Sequence, residues 1–130
     1  MANKPFNCEE ATELAKSVYP YANFLTRFIP NVITKLGEEG CLWVGQESAH
    51  YFSPEVIQKD EIKSVTGAGD CFVGTLLANL QRHYAHSHHP CDIPSEDVFH
   101  HIIRNCQRSS IRTLQSDLAV SDKISKDLLV

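Results

Sequence analysis

No Cys-x-x-Cys pair occurs in the 130 residues, and the five cysteines (Cys8, Cys41, Cys71, Cys91, Cys106) are scattered and odd in number. That usage fits a reduced, intracellular protein, and a cytoplasmic location is expected. Basic charge is also short. Twelve Lys and Arg stand against sixteen Asp and Glu, a net charge of −4. The balance offers no electrostatic case for nucleic acid or an anionic membrane as partner. No apolar run reaches the length of a membrane span, and the first residues do not read as a signal peptide. There is no internal repeat and no low-complexity tract. What is present is ordinary for a soluble globular protein: 42% apolar and 22% charged residues, in one domain's worth of chain that can still bury a core.

One stretch organises the rest, Ser64-Val65-Thr66-Gly67-Ala68-Gly69-Asp70-Cys71-Phe72. A β-rich, charged segment ends at Val65. Phe72, Leu76, Leu77 and Leu80 then recur at three- and four-residue steps, which predicts one face of a helix from about Ala68 to about Tyr84. The glycines fall at its N-terminus, where backbone N–H groups and the helix dipole favour anions, phosphate above all. Glycine lets the backbone approach such an anion closely. Asp70 has two readings. A carboxylate in the first turn stabilises a helix by itself. Beside a phosphate it can also act as a general base on an attacking hydroxyl. The stretch is no Walker A loop, because Gly-Lys-Ser/Thr is missing. It is no dinucleotide fingerprint, because Gly74 comes too late.

Thr66-Gly67-Ala68-Gly69-Asp70 resembles the Gly-Ala-Gly-Asp signature of the ribokinase-like (pfkB) carbohydrate and nucleoside kinases. The resemblance implies that Asp70 is the catalytic base. It implies that the amides of Gly67, Ala68 and Gly69 form an anion hole for the transferred phosphoryl group, with Thr66 at the nucleotide. Ser64-Val65 departs from the Asp-Thr often found before this motif.

Upstream, Asn7 and Glu10 are spaced as an N-cap and its capping carboxylate, so a helix is expected to start there. The same positions are similar to the family's Asn-x-x-Glu motif, followed by Ala and then Leu. On that reading Glu10 organises magnesium through water, with Asn7 beside it. Ser17 to Pro30, aromatic and broken by prolines, reads as a helix end followed by core-packing aromatics. Asn31–Leu36 predicts a buried strand, Gly37–Gly40 a turn, and Cys41–Val44 the return strand ended by Gly45. This segment resembles the family's Thr-x-Gly strand end near the nucleotide phosphates. Lys35 stands where most members have Thr, and Gly37 and Gly40 fit alongside. Taken alone, Lys35 reads equally well as a solvated edge-strand lysine.

Gln46 to Ile62 predicts strand–turn–strand. His83, His86, His88 and His89 crowd a polar loop and read as solvated more readily than as a metal site. Ser95 is the expected N-cap of a further helix with Val98, Ile102, Ile103 and Cys106 on one face. Asn105 matches the family's Asn on the helix that closes over adenine. The plain alternative is a half-exposed helix residue. Ser109 or Ser110 take the small positions that follow. Ala119-Val120 is similar to the family's Ala-Val tail, and Ser121 is expected to cap a terminal helix carrying Ile124, Leu128 and Leu129.

The resemblance implies an α/β, ribokinase-like fold of which residues 1–130 are only the C-terminal, nucleotide-binding half. The sugar-binding half and lid are absent. It implies ATP with Mg2+, and K+ as in many members, and a sugar or nucleoside as acceptor. Lys35-Leu36-Gly37 and Leu114–Ser121 are similar to the pseudouridine kinase branch. Half a sheet exposes an edge and an apolar face, so a homodimer or a second chain completing the fold is expected. A non-catalytic nucleotide-binding module descended from such a kinase is the alternative.

Overall fold

The computed structural model describes residues 9–87 and 94–130. Two compact units make up the chain, Met1–Pro54 and Glu55–Val130.

The first unit is a helix on a small antiparallel sheet. Strands β1 (Asn31–Lys35), β2 (Cys41–Gly45) and β3 (Ala49–Phe52) pair in that order. Val32 lies opposite Val44, and Leu42 opposite Tyr51. Alternation sends Leu42 and Val44 to one face and Cys41 and Trp43 to the other. All five residues of β2 are buried, so the core is built around the central strand. Leu42 is fully buried, and burying such a side chain stabilises by about 1.5–3 kcal/mol.

Helix α1 (Glu13–Leu25) presses its small residues on this sheet. Ala11 and Ala15 meet Leu42 and Tyr51, and Ala22 meets Val44 and Ala49. Alanine permits that close approach. Trp43 donates from Nε1 to Asn31 Oδ1 at 3.0 Å and stacks on His50.

Several expectations for this unit are corrected. The helix starts at Glu13. Thr12 is its N-cap, with Oγ1 accepting from the Ala15 amide at 3.2 Å. Glu10 therefore sits in a turn ahead of the helix, and Thr12 holds the N-cap position. Asn7 lies outside the described residues. Pro20 does not end the helix. It lies inside, and the helix continues to Leu25. The aromatics do not form the core either: Tyr21, Phe24 and Phe28 are exposed, and only Tyr19 packs with the buried residues. The alanines have taken the inward positions. Strand β1 is half-buried rather than buried. After β3 no second strand follows. Val56 is exposed, and a single 3-10 turn at Lys59–Glu61 replaces the strand. Val56–Ile62 lacks the alternation that a half-buried strand needs.

The second unit is a helix pair, α2 (Ala68–Ala85) and α3 (Glu96–Leu114). Their seam is apolar in the middle, with Phe72 and Leu76 from α2 and Phe99, Ile102, Ile103 and Cys106 from α3 buried. Toward the start of α2 it turns polar, with Ser109 and Thr113 of α3 buried beside Cys71. Leu77 falls off the inward face and is exposed, and Thr75 and Asn79 take the turns expected of an apolar residue. Ser95 is the N-cap position of α3 as expected, though its hydroxyl makes no capping bond.

The terminal helix expected from Ser121 is absent. A 3-10 turn at Lys126–Leu128 takes its place, and Ser121 is buried, its Oγ accepting from the Lys123 amide at 3.1 Å. The tail is tied down by side chains instead. Asn79 donates to the Leu128 carbonyl at 3.0 Å and accepts from the Val130 amide at 2.7 Å. Among the described residues no helix is long and apolar enough to cross a membrane.

Candidate functional site

The start of α2 is built to hold one backbone shape. Gly67, its N-cap, has φ +86°. Left-handed backbone strains any residue with a Cβ. A Cβ at Gly67 would also lie 1.8 Å from the Ala119 carbonyl oxygen. Glycine is therefore required here twice over, by conformation and by space. The Cys71 amide donates to the Gly67 carbonyl at 2.9 Å and closes the first turn.

Helix α3 and the tail then lock that turn. Ser110 Oγ donates to the Ala68 carbonyl at 2.8 Å, and Ser109 Oγ to the Cys71 carbonyl at 3.0 Å. Thr113 Oγ1 reaches Cys71 Sγ at 3.1 Å and accepts from the Ser121 amide at 3.4 Å. The lead-in is fixed as well, since the Lys63 amide donates to the Leu114 carbonyl at 2.8 Å and the Thr66 amide to Ser64 Oγ at 3.2 Å. Each lock engages a carbonyl, a thiol or the approach segment. Asp70 stands exposed in the first turn of α2. An amide-rich, dipole-positive end with a solvent-facing carboxylate can bind an anion and accept a proton beside it.

Thr66, Gly67, Ala68, Gly69 and Asp70 thus lie together at one helix end. A second set lies in the first unit, at the β1–β2 connection. Lys35 is the exposed last residue of β1, opposite Cys41. Gly37 (φ +60°) and Gly40 (φ +95°) bracket a 3-10 turn, and a Cβ on Gly40 would lie 2.1 Å from the Phe52 carbonyl oxygen. The Leu36 amide donates to the Gly40 carbonyl at 2.8 Å, and Tyr51 Oη donates to the Glu39 carbonyl at 2.7 Å. Burial pushes the Cys41 thiol up to about 12, against the pull of Lys35. It is a neutral core group.

Glu10 is exposed in the turn before α1. Its carboxylate is the hard oxygen donor that magnesium takes, commonly through water. Asn105 has both ends of its amide engaged, Nδ2 donating to the Leu128 carbonyl at 3.2 Å and Oδ1 accepting from Arg108 at 3.3 Å. His83 and His86 border a cavity of about 220 Å3 with Arg82 and Asn79. His88 and His89 lie outside the described residues. Residue-type reasoning passed over Thr113 and the contact of Ala119 with Gly67. Hydroxyls at Ser109, Ser110 and Thr113, on the inward side of an otherwise apolar helix, were the available signal.

Fold and site together define an α/β protein with a glycine-rich helix start and an adjacent acid. Residues 4–89 match the family described as pfkB family carbohydrate kinase, a span that includes Gly67–Asp70. The chain belongs to that family. No curated relative matches it. Among solved structures it is similar to aminoimidazole riboside kinase from Salmonella enterica, complexed with aminoimidazole riboside and an ATP analogue. Identity there is 25% and the TM-score 0.54, over 68% of this chain and 26% of that one. Ribokinase from Giardia lamblia gives a TM-score of 0.65 at 16% identity, over 90% of this chain and 39% of that one. A double mutant of fructokinase from Vibrio cholerae, bound to fructose, ADP and potassium, gives 0.57 at 21% identity, over 83% and 31%. The fold is a partial ribokinase-like one, and the chain spans between 26% and 39% of the length of these three structures.

Proposed function

We infer that this chain supplies the C-terminal, nucleotide-binding half of a kinase that transfers phosphate from ATP to a sugar or nucleoside hydroxyl. Residues 1–130 form a partial pfkB domain on this reading. The observation that carries it is the start of α2: Gly67 at φ +86°, held against Ala119, with Asp70 exposed one turn in. Asp70 takes the proton of the acceptor hydroxyl as that oxygen attacks the γ-phosphorus. The bond to the β-phosphate oxygen breaks, and ADP leaves. The amides of Gly67, Ala68 and Gly69 stabilise the charge on the moving phosphoryl group. Thr66, Lys35, Gly37 and Gly40 serve the nucleotide, Lys35 as a mobile point charge. Asn105 supports the same role indirectly, through the tail that it holds. Glu10 and Asn7 would hold magnesium through water, and the ion would supply charge neutralisation at the phosphates; potassium would serve as a monovalent activator. The Lys35-Leu36-Gly37 variant favours pseudouridine as the acceptor.

Positioning of the acceptor does most of the work in phosphoryl transfer. On this reading a homodimer partner or a second chain supplies that positioning. The alternative reading is a nucleotide-binding module without turnover. Transfer from labelled ATP to pseudouridine, ribose and other nucleosides, with magnesium and potassium, separates the two. The kinase reading expects transfer that falls by at least about a hundredfold in Asp70→Asn. ATP binding with no transfer to any acceptor selects the module. Absence of ATP binding overturns both.

A further inference from the structure

Helix α1 carries an apolar stripe that its own unit does not use. Leu14, Tyr21, Phe24, Leu25, Phe28 and Ile29 are all exposed, Tyr21 to 75% and Phe28 to 73%. The helical course reaches them all, because the Phe28 and Ile29 amides still donate to the Leu25 carbonyl, at 2.9 and 3.0 Å. At about 100° per residue Leu14, Tyr21, Phe24, Leu25 and Phe28 run down a different side of the helix from Ala15 and Ala22, which face the sheet. Phe24 and Phe28 pack edge to face at 5.8 Å, and Arg27 lies over the Phe24 ring at 5.1 Å. A contiguous patch of this kind on a soluble surface marks an interaction site.

The stripe is symmetric about its middle. Leu14 and Phe28 each stand one heptad from Tyr21. Two copies of α1 laid antiparallel across a two-fold axis would set Tyr21 against the partner's Tyr21, and Leu14 against the partner's Phe28. Such an interface is self-complementary. Charge agrees with that direction. Glu13 stands at the start of α1 and Arg27 just past its end, on the same flank of the stripe. The antiparallel arrangement brings Glu13 of each copy beside Arg27 of the other, and opposes the helix dipoles favourably. A parallel arrangement would stack like charges. Aromatic side chains bring about 150–250 Å2 each, so the exposed stripe amounts to roughly 600 Å2 per copy. Two copies would bury about 1,200 Å2, the lower limit for a specific interface.

We propose that this face of α1 is a self-association surface, and that its occupant is α1 of a second copy of the chain, antiparallel across a two-fold axis at Tyr21. The dimer is weak and concentration-dependent. Light scattering coupled to gel filtration, over a concentration series of the full chain, reads it directly. The mass is expected to rise from one chain to two. Tyr21→Glu should weaken association by at least about tenfold, with circular dichroism unchanged because the residue is exposed. Arg27→Glu should weaken it by about twofold to fivefold, and adding Glu13→Arg should restore it. Tyr21→Cys should form a cross-linked dimer under mild oxidation, where the unaltered chain does not, because the axis sets position 21 against itself. A single-chain mass at every concentration overturns the proposal. So does a dimer insensitive to Tyr21→Glu, or a chain that pairs only with a different protein through this face.

Discussion

The two units solve the problem of close packing with opposite chemistry. In the first, alanines of α1 lie against a wholly buried strand, and large side chains are left facing outward. In the second, bulky apolar residues fill the middle of a helix seam, and hydroxyls finish it at the end where α2 begins. The difference follows from what each seam must position. A sheet face needs only shape, and alanine gives the closest approach. The start of α2 must be held in one backbone shape. Ser109 and Ser110 do so by donating to carbonyls, a role that an alanine cannot take.

The strongest test of that contrast is at two glycines of positive φ. Gly67→Val combines left-handed strain with a clash on Ala119 and should cost at least about 3 kcal/mol in urea unfolding. Gly37 has a positive φ but open space around it, so Gly37→Ala should cost only about 1 kcal/mol. Equal costs would mean that backbone contact with Ala119 does not matter. Next in size are the cores. Leu42→Ala and Ile103→Ala should each lose about 2–5 kcal/mol. Ser109→Ala should lose about 1 kcal/mol, the worth of one buried hydroxyl bond. Ser109→Thr keeps the donor and should recover part of the loss.

Two pH effects follow, one in each unit. Cys41 has its folded pKa raised from 9.0 to about 12 by burial. Its contribution is whole below the unfolded value and lost as pH rises from about 9 toward 12. Alkaline unfolding followed by fluorescence of Trp43 should show that loss, and Cys41→Ala should flatten the dependence. Asp127 is the opposite case. A hydrogen bond from Arg112, helped by Ser125, holds its carboxyl well below the ordinary carboxylate range. Its contribution is present above about pH 4 and lost as pH falls below it. The group is exposed on the surface, so Asp127→Asn should give the smallest change of the series, visible only as a slightly flatter acid limb.

Local chemistry made the second unit easy to read. Gly67 and Gly69 before a helix-spaced run located α2 within one residue of its C-terminal limit, and Ser95 located the start of α3. The first unit was less legible, because its inward face is marked by small residues rather than large ones. Ala11, Ala15 and Ala22 give no hydrophobic peak, and Tyr21, Phe24 and Phe28 give a false one. Pro20 usually signals a helix end, yet here the tertiary packing of Ala22 carries the helix past it. Asn7 and Glu10 have the spacing of a cap, but Thr12 takes the position. The tail was misread for a related reason: Ser121 looks like a cap by type, and long-range bonds from Asn79 and Asn105 decide its course.

Those bonds set an order of events during synthesis. Strands β1 to β3 and helix α1 come from the first 52 residues, so the first unit has its own partners early. Asn79 sits in a buried seam, and its partners are the Leu128 carbonyl and the Val130 amide. Until residues 128–130 have been made, the middle turn of α2 holds an amide with two of its three bonds unmade. The second unit therefore completes its fold late, and a nascent chain stalled before Leu128 would present α2 and α3 loosely joined.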